Sequence, residues 1–151
     1  MSQRAYNMKP DAKWANQYVG IPFLTHGRDH NGADCWGLVR LAFMEQKGIV
    51  LPSMIEAYRS TAQLRRIARR IQHEIDTSGE WIRVLQGQEQ PFDVMVCLMQ
   101  GFPMHVALVV KKGSMLHVTE DNNTVTIDYR HGEWKQPGKI IGIFRHKELC
   151  L

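Results

Sequence analysis

The spacing of apolar positions changes once along the chain. Up to about residue 75 apolar residues recur at helical intervals, and from residue 91 they come as short β-rich runs. "KPDAKWANQYVG" reads as a short opening helix: Pro10 and Asp11 suit its first turn, Trp14 and Tyr18 share a face, and Gly20 can end it. "IPFLTHGRDHNGAD" reads as a loop. Residues 35–47 form the next helix, with Asp34 as N-cap and Gly48 just past the end; apolar residues on every side predict a central position. "SMIEAYRSTAQLRRIARRIQHEI" predicts one or two further helices. Leu64, Ile67, Ala68, Ile71 and Ile75 make the apolar face, and Arg65, Arg66, Arg69 and Arg70 fall largely on the other. "FDVMVCLM", "HVALVV", "MLHVTED", "TVTIDYR" and "KIIGIFRH" predict strands close enough in sequence for an antiparallel meander. Helices first and strands after give an α+β domain, with the helices packed on one face of the sheet. The absence of a repeat or linker predicts one domain over residues 1–151.

Composition narrows the function classes. A chain of 151 residues that is 44% hydrophobic and 23% charged fits one globular domain. The formal charge of +4 suits an anionic partner. The Arg65–Arg70 face is nonetheless a poor nucleic-acid reader, because no aromatics are interleaved for base stacking, and it reads as a solvated helix face. No segment has the length and apolarity of a membrane span, so no membrane insertion is expected. The first residues lack the apolar core of a signal peptide. Cys35, Cys97 and Cys150 are too few and too scattered for a disulfide framework or a structural zinc.

Cys35 carries the chemical interest. A thiol in the first turn of a helix meets unpaired N–H groups and the positive end of the macrodipole, which should favour thiolate. The same N–H groups could hold an oxyanion, and Gly37 would leave room for a substrate. Cys97, inside an apolar strand, reads as a small core residue, and Cys150 as incidental. A nucleophile needs a base. Of the seven histidines, His105 and His117 stand on successive strands among apolar neighbours, where an imidazole is costly unless hydrogen-bonded. A three-residue loop Lys111–Gly113, or a bulge, would put His117 opposite Ala107 and on the face of His105; a plain two-residue loop would separate the two histidines. A metal on Cys35, His105 and His117 is conceivable by ligand type, but no supporting carboxylate is evident, so neither metal nor cofactor is expected.

"DCWGLVRLAF", "QPFDVMVCLMQ" and "HVALVVKKGSMLHVTE", in this order, resemble the NlpC/P60 cysteine peptidases from about Trp14 to Phe144. The resemblance implies a papain-like fold, with Cys35 as nucleophile, His105 as general base and then acid, and His117 orienting His105. It implies cleavage of peptidoglycan stem peptides between D-γ-glutamyl and a diamino acid, without a cofactor. Three positions depart from the family pattern. Trp36 follows the cysteine in place of serine, Phe23 replaces a tyrosine near the oxyanion or substrate, and Phe92 replaces a glycine before Asp93. Phe23, Asp34 and Trp36 are therefore the expected substrate-side neighbours of Cys35. The Asp-Cys-Trp-Gly run is similar to that of the variant found in phage tails and gene-transfer particles. That likeness implies a protein made in the bacterial cytoplasm without a signal peptide, carried in a virion tail and partnered by tail proteins. The alternatives are a non-catalytic tail adaptor that keeps the fold, and a thiol amidase or acyltransferase on another substrate.

Overall fold

The computed structural model describes residues 13–57, 59, 64–99 and 102–150. Helix α1 (Cys35–Lys47) forms as its sequence requires. Asp34 is extended and its Oδ1 accepts the Gly37 N–H at 2.9 Å, and Gly48 closes the helix in the left-handed region at φ 67°. Eight of its residues, from Cys35 to Phe43, are buried, so the helix runs through the core rather than along its surface. Helix α2 (Leu64–Thr77) buries Ile71 and Ile75 and exposes Arg69 and Arg70. The side chains of Leu64, Arg65, Arg66, Ile67 and Ala68, and the expected helical stretch at 58 and 60–63, lie outside the described residues.

One expectation for the N-terminal part is corrected. Of the expected opening helix, residues 9–12, with Pro10 and Asp11, lie outside the described residues; Lys13 is helical, Trp14–Gln17 is a 3-10 turn, and Trp14 and Tyr18 meet edge to face at 6.1 Å. The segment expected as plain loop contains a small hairpin, β1 (Arg28–Asp29) and β2 (Gly32–Ala33), with Phe23 bridged to Ala33. Strands of two residues leave no period to read.

The other strands are β3 (Trp81–Arg83), β4 (Val94–Met99), β5 (Phe102–Lys111), β6 (Ser114–Thr119), β7 (Asn122–Asp128) and β8 (Ile140–His146). They form one antiparallel sheet in the order β3-β8-β4-β5-β6-β7. The meander from β4 to β7 is as expected, but β8 returns beside β4 and the unexpected β3 lies at that edge. Val94, Val96, Val106, Leu108, Val110, Leu116 and Val118 pack with α1 and α2. Met95, Cys97, Ala107, Val109, Met115 and Ile143 form a second apolar layer on the opposite face, against which Trp134 of the 3-10 turn Gly132–Lys135 packs. Burial on both faces explains why "FDVMVCLM" and "HVALVV" do not alternate with polar residues.

Phe92 takes a conformation that L-residues avoid, φ 73°, at a cost of about 1–2 kcal/mol. The residue is 2% exposed, and its ring lies tilted 4.3 Å from Trp14 and edge-on 5.5 Å from Phe43. Asp93 behind it is buried, accepts the Gln90 N–H at 2.8 Å, and is gripped at both oxygens by Arg145 at 2.8 Å. This ion pair pins the entry of β4 to β8.

Candidate active site

The hairpin between β5 and β6 decides whether the two histidines can meet. Lys111 pairs with Ser114, so the loop is the two residues Lys112 and Gly113, the latter at φ 95°. A register shift between Val109 and Lys111 then follows, and the ladder continues as Val109 with Met115 and Leu108 with Leu116. The bulge, not a longer loop, thus puts both histidines on one side of the sheet. They lie beyond the last paired residues of this ladder. His105 Nε2 and His117 Nδ1 are hydrogen-bonded at 2.9 Å, with the rings edge to face. Both side chains are buried, and the Trp134 indole lies against both, at 6.1 Å from His105 and 5.4 Å from His117.

Cys35 reaches the same strand from the α1 side. Its sulfur accepts the backbone N–H of Val106, the residue after His105, and that of Trp36. Among the described residues no hydrogen bond joins Cys35 to His105. The expectation of a depressed thiol pKa is also corrected. Burial pushes the Cys35 thiol up to about 12, the Asp34 charge adds to this, and the N–H groups and Arg28 only partly oppose it. Desolvation outweighs the helix terminus because Cys35 is only 5% exposed. His105 moves the other way, to about 3, chiefly through burial and then through the neighbouring His117 and Lys139. His117 is lowered by burial too, against a small opposite pull from Glu133. The resting state is therefore neutral thiol beside neutral imidazoles.

The expected substrate-side residues take different positions. Asp34 is buried, and its carboxylate is engaged by the Gly37 N–H, the His26 N–H at 3.0 Å and Arg28 Nη1 at 2.8 Å. It locks the loop to the start of α1. Trp36 is wholly buried, with its indole donating to the Pro52 carbonyl at 2.7 Å, so only its backbone N–H serves the sulfur. Phe23 is half-buried and sits one backbone bridge from Ala33, at the approach to Asp34 and Cys35. The space expected beside Gly37 is filled: a Cβ there would strike the Gly27 carbonyl and the Arg28 guanidinium. Gly37 admits the loop, not a substrate.

Two contributors were not legible. Arg28 joins Asp34 to the Gly27 and Ser53 carbonyls, and nothing marks it within "HGRDHNG". Trp134 sits in a charged turn, "GEWK", and becomes a wall of the site only through the return of β8. His30 binds Glu45 at 2.9 Å and stacks on Tyr18, which accounts for it without a ligand. Among the described residues no group of three or more His, Cys, Asp or Glu is placed to hold a metal ion.

Solved structures share this fold. The NlpC/p60 domain of the peptidoglycan hydrolase SagA aligns with a TM-score of 0.53 at 20% identity, over 80% of this chain and 87% of that one. An NlpC/P60 family protein from Bacillus cereus aligns with a TM-score of 0.60 at 19% identity, over 91% of this chain but only 40% of its own length. RipD from Mycobacterium tuberculosis, described as a non-catalytic NlpC/p60 domain protein adapted to peptidoglycan binding, aligns with a TM-score of 0.53 at 21% identity, over 89% and 93%. No curated protein matches the chain. At these identities the structures establish the fold, and the sequence model of the NlpC/P60 family supplies the rest: it matches residues 20–141, and the chain belongs to that family.

Proposed function

We propose that the protein is a cysteine endopeptidase of peptidoglycan stem peptides, cutting between D-γ-glutamyl and a diamino acid. The observation that carries the reading is the buried His105–His117 bond of 2.9 Å beside the residue whose N–H holds the Cys35 sulfur. For His105 to act as base at Nδ1, its own proton must be on Nε2, where it donates to His117 Nδ1. His117 thus fixes the tautomer. When substrate draws Cys35 and His105 together, the thiol proton passes to His105 and the sulfur attacks the amide carbon. Backbone N–H groups at the start of α1 face the developing oxyanion. His105 returns the proton to the leaving amine, and a water, deprotonated by His105, then cleaves the thioester to acid and free thiol.

The resemblance of the Asp34-Cys35-Trp36-Gly37 run to phage-tail members supports a finer reading. In it the protein is made in the bacterial cytoplasm and works as a virion tail component among tail proteins. A second reading, a non-catalytic adaptor or wall binder, is favoured by the neutral, unlinked Cys35 and His105 of the resting state. Mass spectrometry of muropeptides after incubation with the protein and with Cys35→Ala separates the two. New fragments ending at the γ-glutamyl bond, absent with the variant, are the expected result. Unchanged muropeptides, together with equal retention of both proteins on insoluble peptidoglycan, would establish the binder instead.

A further inference from the structure

The face of the sheet away from the helices carries a cavity that shares only Trp134 with the site above. Its volume is about 360 Å³, within the range of small-molecule sites. Met95, Ile140 and Ile143 of the second apolar layer contribute to its lining. One polar part of the lining is Glu89, which is 8% exposed and hydrogen-bonded at both oxygens. Its oxygens accept the Gly87 N–H at 2.6 Å and the Tyr129 hydroxyl at 2.6 Å, while Tyr129 in turn accepts the Gly113 N–H at 2.8 Å. This chain of bonds rigidifies the lining around Glu89.

The cations around the cavity are not equivalent. Arg130 is held at both ends by Asp128, at 3.0 and 2.8 Å. Lys112 and Lys135 also line the cavity and are exposed, and among the described residues neither forms an ion pair. A largely apolar lining with two ammonium groups, Lys112 acting also on Glu89 and Lys135 in no ion pair among the described residues, is complementary to a carboxylate on an apolar body. From this pairing of lining and charge we propose that the cavity binds a small apolar monocarboxylate, separately from the Cys35 site. Trp134 belongs both to the cavity lining and to the cover of the two histidines, so its indole reports occupancy.

The test is a titration followed by proton–nitrogen NMR of the full chain, with hexanoate, N-acetyl-dialanine and hexylammonium at equal ionic strength. The expected result is saturable shifts at the Gly113 amide and the Trp134 indole with one or both carboxylates. The better of the two tells an acyl chain from a peptide terminus. Hexylammonium and the Lys112→Gln/Lys135→Gln double variant should each weaken binding by about three- to tenfold. No saturable shift with either carboxylate, or equal binding of amine and carboxylate, or an unaffected double variant, would overturn the proposal. Lys112 lies outside the Trp134 turn, so muropeptide cleavage is read in Lys112→Gln alone as the control for the Cys35 site.

Discussion

The resting thiol offers the sharpest test of how this site is built. A helix-start cysteine paired with an imidazolium would be thiolate at neutral pH, whereas burial here pushes Cys35 up to about 12 from its ordinary 9.0. At pH 8 such a thiol is ionised in about one molecule in 10⁴, against about one in ten for an unperturbed one, a difference of about 4 kcal/mol. Alkylation by iodoacetamide, read by mass spectrometry on the Cys35 peptide, should therefore rise about tenfold per pH unit from about pH 6 to about pH 9 without levelling. Cys97, pushed up to about 12 mainly by burial, should behave likewise, and the exposed Cys150 serves as the accessible reference. The slope with pH measures ionisation even if access slows every rate by a constant factor. A Cys35 rate that levels off near neutral pH, or exceeds that of Cys150 there, would refute the reasoning. It would show a preformed thiolate that the packing of α1 against β5 does not explain.

Acid should unfold the protein through the histidine pair. His105 binds its proton at about 3 in the folded chain and at about 6.5 when unfolded, so its contribution is present above pH 6.5 and is lost as pH falls towards 3. Urea unfolding across that window should show the loss, and His105→Gln should make the acid limb shallower; an unchanged limb would argue against a buried neutral imidazole. Position 92 tests the strained turn: both Phe92→Ala and Phe92→Gly should cost about 3 kcal/mol or more in lost ring packing. The glycine variant should equal or exceed the alanine variant in stability, reversing the usual order by about 1 kcal/mol, because only glycine is relaxed at φ 73°. A clearly less stable glycine variant in chemical denaturation would remove the strain argument.

The parts of this fold that were legible are those in which one local rule acts alone. Asp34 and Gly48 bracket α1 because a carboxylate caps N–H groups and a glycine accepts the left-handed turn, and both facts are local. The five longer strands and the meeting of His105 with His117 follow from residue alternation once the hairpin is fixed. What failed depended on long-range contacts. The thiol pKa rests on how completely α1 is covered, which outweighs the helix terminus. Trp36 turns inward because Pro52, sixteen residues on, offers a carbonyl, and the room beside Gly37 is taken by Arg28 and the Gly27 carbonyl. β3 is three residues long and exists only because β8 comes back to pair with it.

Two of these failures share a direction, and it bears on the chemistry. Each replaced expected substrate space near Cys35 by protein, loop against Gly37 and core around Trp36, and Trp134 covers the imidazoles as well. A site closed in this way holds both reactive groups neutral, and neither can ionise alone at moderate cost. On the proposed peptidase reading, the substrate itself must bring Cys35 and His105 into contact and supply the dipoles that stabilise the ion pair. Within that scheme the Arg28–Asp34 pair at 2.8 Å acts as the fixed side, because it ties the loop to the helix start. The Trp134 turn is the more loosely held side: Lys139, 18% exposed, lies 5.0 Å from the indole and 3.5 Å from the exposed Glu133. An ion pair with one exposed partner and a cation–π contact each contribute about 1 kcal/mol, so substrate binding releases this turn more readily than it unseats the buried, multiply bonded Asp34.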